Sequence, residues 1–62
     1  MDMIWLAART NKRNHKRFVL WQRNVNGYHY QIDIIRNGYS KPYCTIFDSY
    51  EVALAEFYRL VN

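Results

Sequence analysis

The stretch VLWQRNVNGYHYQIDI, residues 19–34, decides the fold expected for this chain of 62 residues. Asn26-Gly27 lies between two runs of alternating residues, and Asn-Gly favours the positive backbone dihedrals of a two-residue type I′ hairpin turn. With this turn, Trp21 faces Ile32 across two antiparallel strands. Because strand side chains alternate between faces, one face is then strongly apolar. It holds Val19, Trp21, Val25, Tyr28, Tyr30, Ile32 and Ile34.

A second Asn-Gly pair, Asn37-Gly38, predicts another hairpin and a third strand. This turn sets Lys41 opposite Ile34. Pro42 has no backbone N–H donor, which suits an outer strand or a β-bulge. The third strand is therefore predicted at an edge of the sheet.

The period of the apolar residues becomes helical after Phe47. Asp48 is positioned to cap a helix, and Glu51 follows three residues later, as in a capping box. Apolar residues then recur at helical spacing, namely Ala53, Leu54, Phe57, Leu60 and Val61. We expect an α+β fold, a three-stranded antiparallel β-meander with one C-terminal helix packed on its apolar face. The single domain spans 18–62, and an apolar segment and a basic arm precede it in 1–17.

Residues 1–17 supply the net charge of +4, because the basic arm carries five positive charges and Asp2 offsets one of them. Its sequence RTNKRNHKR, residues 9–17, contains five cationic residues, Arg9, Lys12, Arg13, Lys16 and Arg17. The basic and acidic residues of 18–62 cancel. Because the arm has neither an apolar residue nor a regular period, we expect it to be flexible in the free protein or held only by its ends. Such a run is suited to neutralising the phosphates of a nucleic acid.

The second face of the predicted sheet is polar in one half and apolar in the other. Amide side chains can read adenine edges in the major groove, and here they are Gln22, Asn24 and Gln31. The apolar half forms a sticky patch unless something covers it. Two interpretations remain open: residues 4–6 fold back over this patch, or a partner protein docks there. The contact residues for such a partner are Trp5, Leu20, Ile35 and Ile46.

Patterns typical of enzymes are missing from the sequence. It contains no glycine-rich phosphate loop and no plausible Ser-His-acid triad, so we expect no catalytic residues. Cys44 is the single cysteine, and it does not form a zinc-ligand spacing with the two histidines. We therefore expect no metal and no cofactor. No apolar run is long enough for a transmembrane helix, and a reducing cytoplasm is the expected compartment.

The segment KRFVLWQRNVNGYHYQIDIIRNGYSKPYCTIFDSYEVALAEFYRLVN, residues 16–62, resembles the AP2-like DNA-binding domain of tyrosine-type phage and transposon integrases. The similar features are two tight turns and the strand-to-helix stretch TIFDSYEVALAEF, residues 45–57. The resemblance implies a sheet that enters the major groove, with Gln22, Asn24 and Gln31 at the base edges. Small stand-alone phage proteins that act on host proteins have a similar outline.

Three functions follow from these observations as hypotheses. The leading one is a small non-enzymatic regulatory module, from a phage or mobile element, that binds nucleic acid through the arm and the second sheet face. The alternative is a protein-binding module, which is either an inhibitor or adaptor of a host protein or a homodimer. Such a module would bind its partner through the apolar sheet face or the edge strand. A third is peripheral membrane binding, in which residues 4–6 insert beside the basic run.

Overall fold

A computed structural model describes the backbone of residues 2–24 and 28–62, together with their side chains except those of residues 2, 28 and 44–46. The described chain is an α+β fold in which a four-stranded antiparallel sheet, in the order β1-β2-β3-β4, is followed by a C-terminal helix. The elements are β1 (Asp2–Thr10), β2 (Arg17–Asn24), β3 (Tyr28–Arg36), β4 (Tyr39–Phe47) and α1 (Tyr50–Val61). The fold class, the antiparallel sheet and the helix confirm the prediction, but the predicted number of strands is wrong.

The additional strand is β1, formed by the N-terminal segment. It pairs with β2 along its whole length, with an irregularity between Trp5 and Ala7. Leu6 and Ala7 both pack against the core, so the apolar residues of this segment do not keep the two-residue period of a regular strand. The segment 2–10 therefore belongs to the same sheet as the predicted domain.

The central hairpin has a register one residue away from the predicted one. In the structure Leu20, and not Trp21, is the partner of Ile32. Since the side-chain period of a strand is two, this shift exchanges the two faces of β2. Phe18 and Leu20 consequently lie under the helix, and the prediction that Val19 and Trp21 lie there is wrong.

The shift is also seen at the ends of the two strands. Asn24 pairs with Tyr28, whereas the predicted two-residue turn would pair residue 25 with Tyr28. The predicted Asn26-Gly27 turn itself lies outside the described residues, as does the side chain of Tyr28.

The core lies between the helix and the sheet face that we call the helix face. Its buried residues are Phe18, Leu20, Ile32, Ile34, Ala53, Phe57, Leu60 and Val61. The predicted apolar stripe of the helix is confirmed. Four of its five residues are in this cluster, and the fifth, Leu54, packs against it. At the sheet edge the ring of Tyr43 meets Phe18 edge-on, with the ring centroids 5.2 Å apart.

The turn between β3 and β4 confirms the second hairpin prediction. Asn37 and Gly38 both have positive φ, 52° and 81°, as a type I′ turn requires. Lys41 pairs with Ile34 as predicted. The register then shifts next to Pro42, and β4 is an edge strand of the described sheet. The missing N–H of proline is tolerated there because an edge position leaves one side of the strand unpaired.

The helix begins one residue later than its predicted cap implies. Ser49, and not Asp48, is the N-cap residue, because its side chain accepts a hydrogen bond from the backbone N–H of Val52 at 3.4 Å. Asp48 instead lies with Oδ1 3.2 Å from Nδ1 of His29. The helix has 12 residues. In the described part of the chain no helix has the length and apolarity that crossing a membrane needs.

The register can be tested by truncating Leu20, which is 0% exposed. We expect Leu20→Ala to lower the free energy of unfolding by about 2–5 kcal/mol, because it removes buried methyl groups and leaves a cavity. Chemical denaturation followed by circular dichroism measures this change. Val52→Ala, on the exposed side of the helix, is the control and should stay within about 0.5 kcal/mol of the parent. A similarly small loss for Leu20→Ala would contradict the register.

Candidate functional site

The basic run forms part of a β-hairpin at one end of the sheet. Thr10 pairs with Arg17, and residues 11–16 connect the two strands. The backbone N–H of Asn11 donates to the carbonyl of Lys16 at 2.7 Å, and the N–H of His15 donates to the carbonyl of Asn11 at 2.8 Å. The expectation that residues 9–17 are flexible or held only by their ends is therefore not met, because hydrogen bonds within the connection also define its path.

The Asn11 side chain organises this connection. Its Oδ1 accepts hydrogen bonds from the backbone N–H groups of Arg13 at 2.8 Å and Asn14 at 3.3 Å. His15 adopts a positive φ of 62°, which brings the chain back toward β2. Asparagine is suited to this role because its short amide can take the place of a backbone turn partner.

The same Asn11 side chain attaches the hairpin to the helix. Its Nδ2 donates to the carbonyl of Leu60 at 2.8 Å, and the residue is 7% exposed. The last carbonyls of a helix have no partner within the helix, so this bond satisfies a group that burial would otherwise penalise. Asn11 was not among the residues expected from the sequence to have a role, because a turn preference is its single local signal.

The sheet register brings two more cations to this end. Arg9, Phe18, Ile34 and Lys41 form one row across the four described strands, and Arg36 is next to the β3–β4 turn at the same end. We call this region the basic end, and it consists of Arg9, Lys12, Arg13, Lys16, Arg17, Arg36 and Lys41. All seven are exposed, and they are seven of the nine Lys and Arg residues in the chain.

The acidic residues either lie away from the basic end or form hydrogen bonds with neighbouring side chains. Asp2 and Asp48 lie at the opposite end of the sheet. Asp33 is 6% exposed and accepts hydrogen bonds from Gln31 and Ser40, both at 2.6 Å.

On the helix, Glu51 is in the first turn, which is also far from the basic end. Glu56 pairs with Arg59, and the hydrogen bond from Arg59 holds the pKa of the Glu56 carboxyl below its ordinary value. Asp33 keeps its charge, because its partners are neutral, and it pairs with Pro42 next to Lys41. The described carboxylates therefore offset the seven cations of the basic end only in part.

A cleft of about 430 Å³ opens between the hairpin connection and the end of the helix. It is lined by Arg9, Thr10, Asn11, Lys12, Arg13, Val61 and Asn62. The guanidinium of Arg9 lies 5.8 Å from the centroid of the Tyr58 ring, within the range of a cation–π contact. Three cationic side chains thus line an opening large enough for an anionic group such as a phosphate.

The amides predicted to read base edges are not brought together. Gln22 pairs with Tyr30 on the helix face, and Asn24 is on the same face at the far end of β2. Gln31 pairs with Trp21 on the opposite face, and its Nε2 donates to Asp33. The one-residue shift in register separates these side chains.

The residues predicted to bind a partner protein are also divided. Trp5 and Ile35 lie on the sheet face away from the helix, whereas Leu20 is in the core. The side chain of Ile46 is outside the described residues. For metal binding, the described residues contain no cluster of three or more His, Cys, Asp or Glu side chains.

The anchoring role of Asn11 gives a test of how the basic end is held. We expect Asn11→Ala to lower the free energy of unfolding by about 1–3 kcal/mol, because it leaves the buried Leu60 carbonyl without a donor. Thermal and urea denaturation measure the change. Asn14→Ala is the matched control, since Asn14 accepts an exposed local hydrogen bond from the Lys16 N–H. Equal stability of the two variants would contradict an anchoring role.

Comparisons with known proteins do not add a relative to this description. No protein-family model, no curated protein and no solved structure matches the chain. The resemblance to AP2-like domains stays a prediction made from the sequence pattern.

Proposed function

We propose that this protein is a non-enzymatic module that binds nucleic acid by contacting phosphates through its basic end. The observation that carries the proposal is the collection of seven exposed cations at one end of the sheet, with the carboxylates elsewhere or engaged. Phosphate neutralisation releases condensed counterions, and this release is the main source of affinity in sequence-independent binding.

The spacing of the cations suits a polyanion better than a single small anion. Neighbouring strands are about 4.8 Å apart, so Arg9 on β1 and Lys41 on β4 are separated by about 14 Å across the sheet. Phosphates along one nucleic-acid strand advance by about 3.4 Å each along the duplex axis. The basic end therefore spans several consecutive phosphates.

The ordered hairpin also favours binding. The hydrogen bonds of Asn11 hold Lys12, Arg13 and Lys16 on a defined connection, and the cation–π contact restricts Arg9. Binding to such a surface loses less conformational entropy than binding through a flexible arm.

The alternative, a protein-binding module, is supported by two of its predicted contact residues. Of its predicted contact residues, Trp5 and Ile35 are on the sheet face away from the helix, while Leu20 contributes to the core. A partner protein held by the apolar side chains of that face would bind with a weaker salt dependence than contacts to several phosphates give.

Neutralising the hairpin connection tests the proposal. With all seven cations engaged, the slope of log affinity against log salt should be about −5 to −6. We expect the triple variant Lys12→Gln, Arg13→Gln, Lys16→Gln to reduce the magnitude of this slope by about 2 to 3. Fluorescence anisotropy of labelled oligonucleotides over a salt series measures it. Thermal stability should change little, because these side chains are exposed.

Single substitutions supply the control. Arg13→Gln and Arg59→Gln change the net charge equally, but Arg59 is paired with Glu56 and is not part of the basic end. Arg13→Gln should weaken binding more. Absence of binding by the parent protein to both duplex and single strands at low salt would rule out the proposal.

The contribution of the second turn is a separate prediction. Arg36 and Lys41 are distant from the basic run in sequence, and the sheet brings them to the same end. We expect the double variant Arg36→Gln, Lys41→Gln to lower affinity and to reduce the magnitude of the salt slope by up to about 2. The same anisotropy series measures both. An unchanged slope would confine the phosphate contacts to the β1–β2 hairpin.

A further inference from the structure

The sheet face away from the helix, which we call the outer face, combines exposed, half-buried and buried side chains, and Trp5 and Arg17 are the exposed ones. Its central residues are Trp5, Ala8, Arg17, Val19, Trp21, Arg23, His29, Gln31, Asp33 and Ile35. In the described residues, no helix or strand packs over this face. This uncovered sheet face carries two tryptophans and two arginines, so it is suited to a ligand that has both apolar rings and negative charge.

The two tryptophans lie side by side on this face. Trp5 and Trp21 are direct cross-strand partners on β1 and β2. Trp5 is 58% exposed, which is a large apolar surface to leave in water. Its neighbours Ile4 and Leu6 do not share this face, since Ile4 pairs with Gln22 and Leu6 packs against the core.

The polar edge of Trp21 is turned inward. Its indole nitrogen is buried and finds no hydrogen-bond partner within the described part of the chain. The exposed surface of this partly buried residue therefore excludes the N–H group. Carbon surface of an indole is the part that stacks on a planar ring.

The charge of the outer face indicates what kind of ring it takes. Arg17 and Arg23 lie on the same strand as Trp21, at positions 17, 19, 21 and 23 that share one face. Two carboxylates lie at this face. Asp33 is buried and hydrogen bonded to Gln31 and Ser40. Asp48 is exposed and lies 3.2 Å from Nδ1 of His29, at the opposite end of the face from Arg17. A surface of exposed indole flanked by cations is complementary to a ligand that combines planar rings with negative charges.

From these observations we infer that the outer face binds single-stranded nucleic acid, with bases stacked on Trp5 and Trp21. This inference rests on the proposed function and specifies its substrate class, since a paired duplex does not offer its base faces for stacking. Residue 17 belongs to the basic end and lies about 13 Å along β2 from Trp21, at about 3.3 Å per residue. One strand can therefore reach both the stacking residues and the basic end.

A second copy of the chain fits this face less well. Face-to-face docking would bring Arg17 and Arg23 of both copies to one interface, and like charges disfavour such contacts. Single-stranded nucleic acid satisfies the same apolar surface and also neutralises both arginines.

Trp5→Ala tests the inference, with Ile4→Ala as the matched control on the same strand and the other face. The probes are an oligothymidine of about ten nucleotides and a mixed-sequence duplex of equal length, each labelled for anisotropy at low salt. We expect Trp5→Ala to bind the single strand roughly 5- to 150-fold more weakly than the parent. Ile4→Ala should bind nearly as the parent does, and Trp5→Phe should retain most of the affinity because it keeps an aromatic ring.

Tryptophan fluorescence of the unmodified protein gives a second measurement that does not depend on any variant folding. Stacking on thymine should quench the emission as the oligonucleotide saturates the protein. Absence of quenching at saturation, or equal single-strand affinity for Trp5→Ala and the parent, would overturn the inference. Preference of the parent for the duplex would do the same.

The outcomes separate the inference from the proposed function. If the parent binds duplex or single strand with a steep salt dependence and Trp5→Ala changes nothing, the stacking inference fails and the proposed function stands. If the parent binds neither nucleic acid, both fail. A dimer seen by light scattering in the parent and lost in Trp5→Ala would assign the outer face to a second copy and overturn the inference.

Discussion

The pairing of Leu20 with Ile32 is the contact on which the rest of the structure depends. Both side chains are fully buried beneath the helix, and together with Phe57 they form the centre of the core. This pairing determines which side chains of β2 face the helix, because each shift by one residue exchanges the faces. Phe18 and Leu20 then fill the core, and Arg17, Trp21 and Arg23 are left on the outer face.

A small protein without a disulfide has to be stabilised by packing, and here the helix accounts for much of it. Ala53 and Phe57 lie over the centre of the sheet, and Leu60 and Val61 close the core near the β1–β2 hairpin. The Asn11 side chain then joins the hairpin to the last turn of the helix through the Leu60 carbonyl. This hydrogen bond therefore holds the cationic β1–β2 connection beside the end of the helix.

Charge is distributed unevenly along the sheet. One end has the cations of the β1–β2 connection and the β3–β4 turn, while Asp2, Asp48 and the start of the helix lie at the other. Folding does not change the net charge of +4, but it concentrates the positive part of it in one region. A concentrated positive region attracts polyanions more strongly than the same charges dispersed over the surface.

The sequence by itself determined the features that depend on neighbouring residues. The type I′ turn at Asn37-Gly38 and the amphipathic helix could both be predicted, since each follows from local backbone preference or from periodicity within one segment. The cations of residues 9–17 were likewise evident from their order in the chain.

Tertiary structure alone decided the rest, because it depends on contacts between distant residues. The irregularity between Trp5 and Ala7 interrupts the two-residue apolar period of β1, so the sequence pattern does not indicate a strand. Pairing with β2 stabilises β1 as a strand. Two registers of β2 both gave an apolar face, so the choice between them rested on packing against the helix. Strand order and register place Arg36 and Lys41 near the basic run, and they place Trp5 beside Trp21. No local sequence pattern encodes either of them.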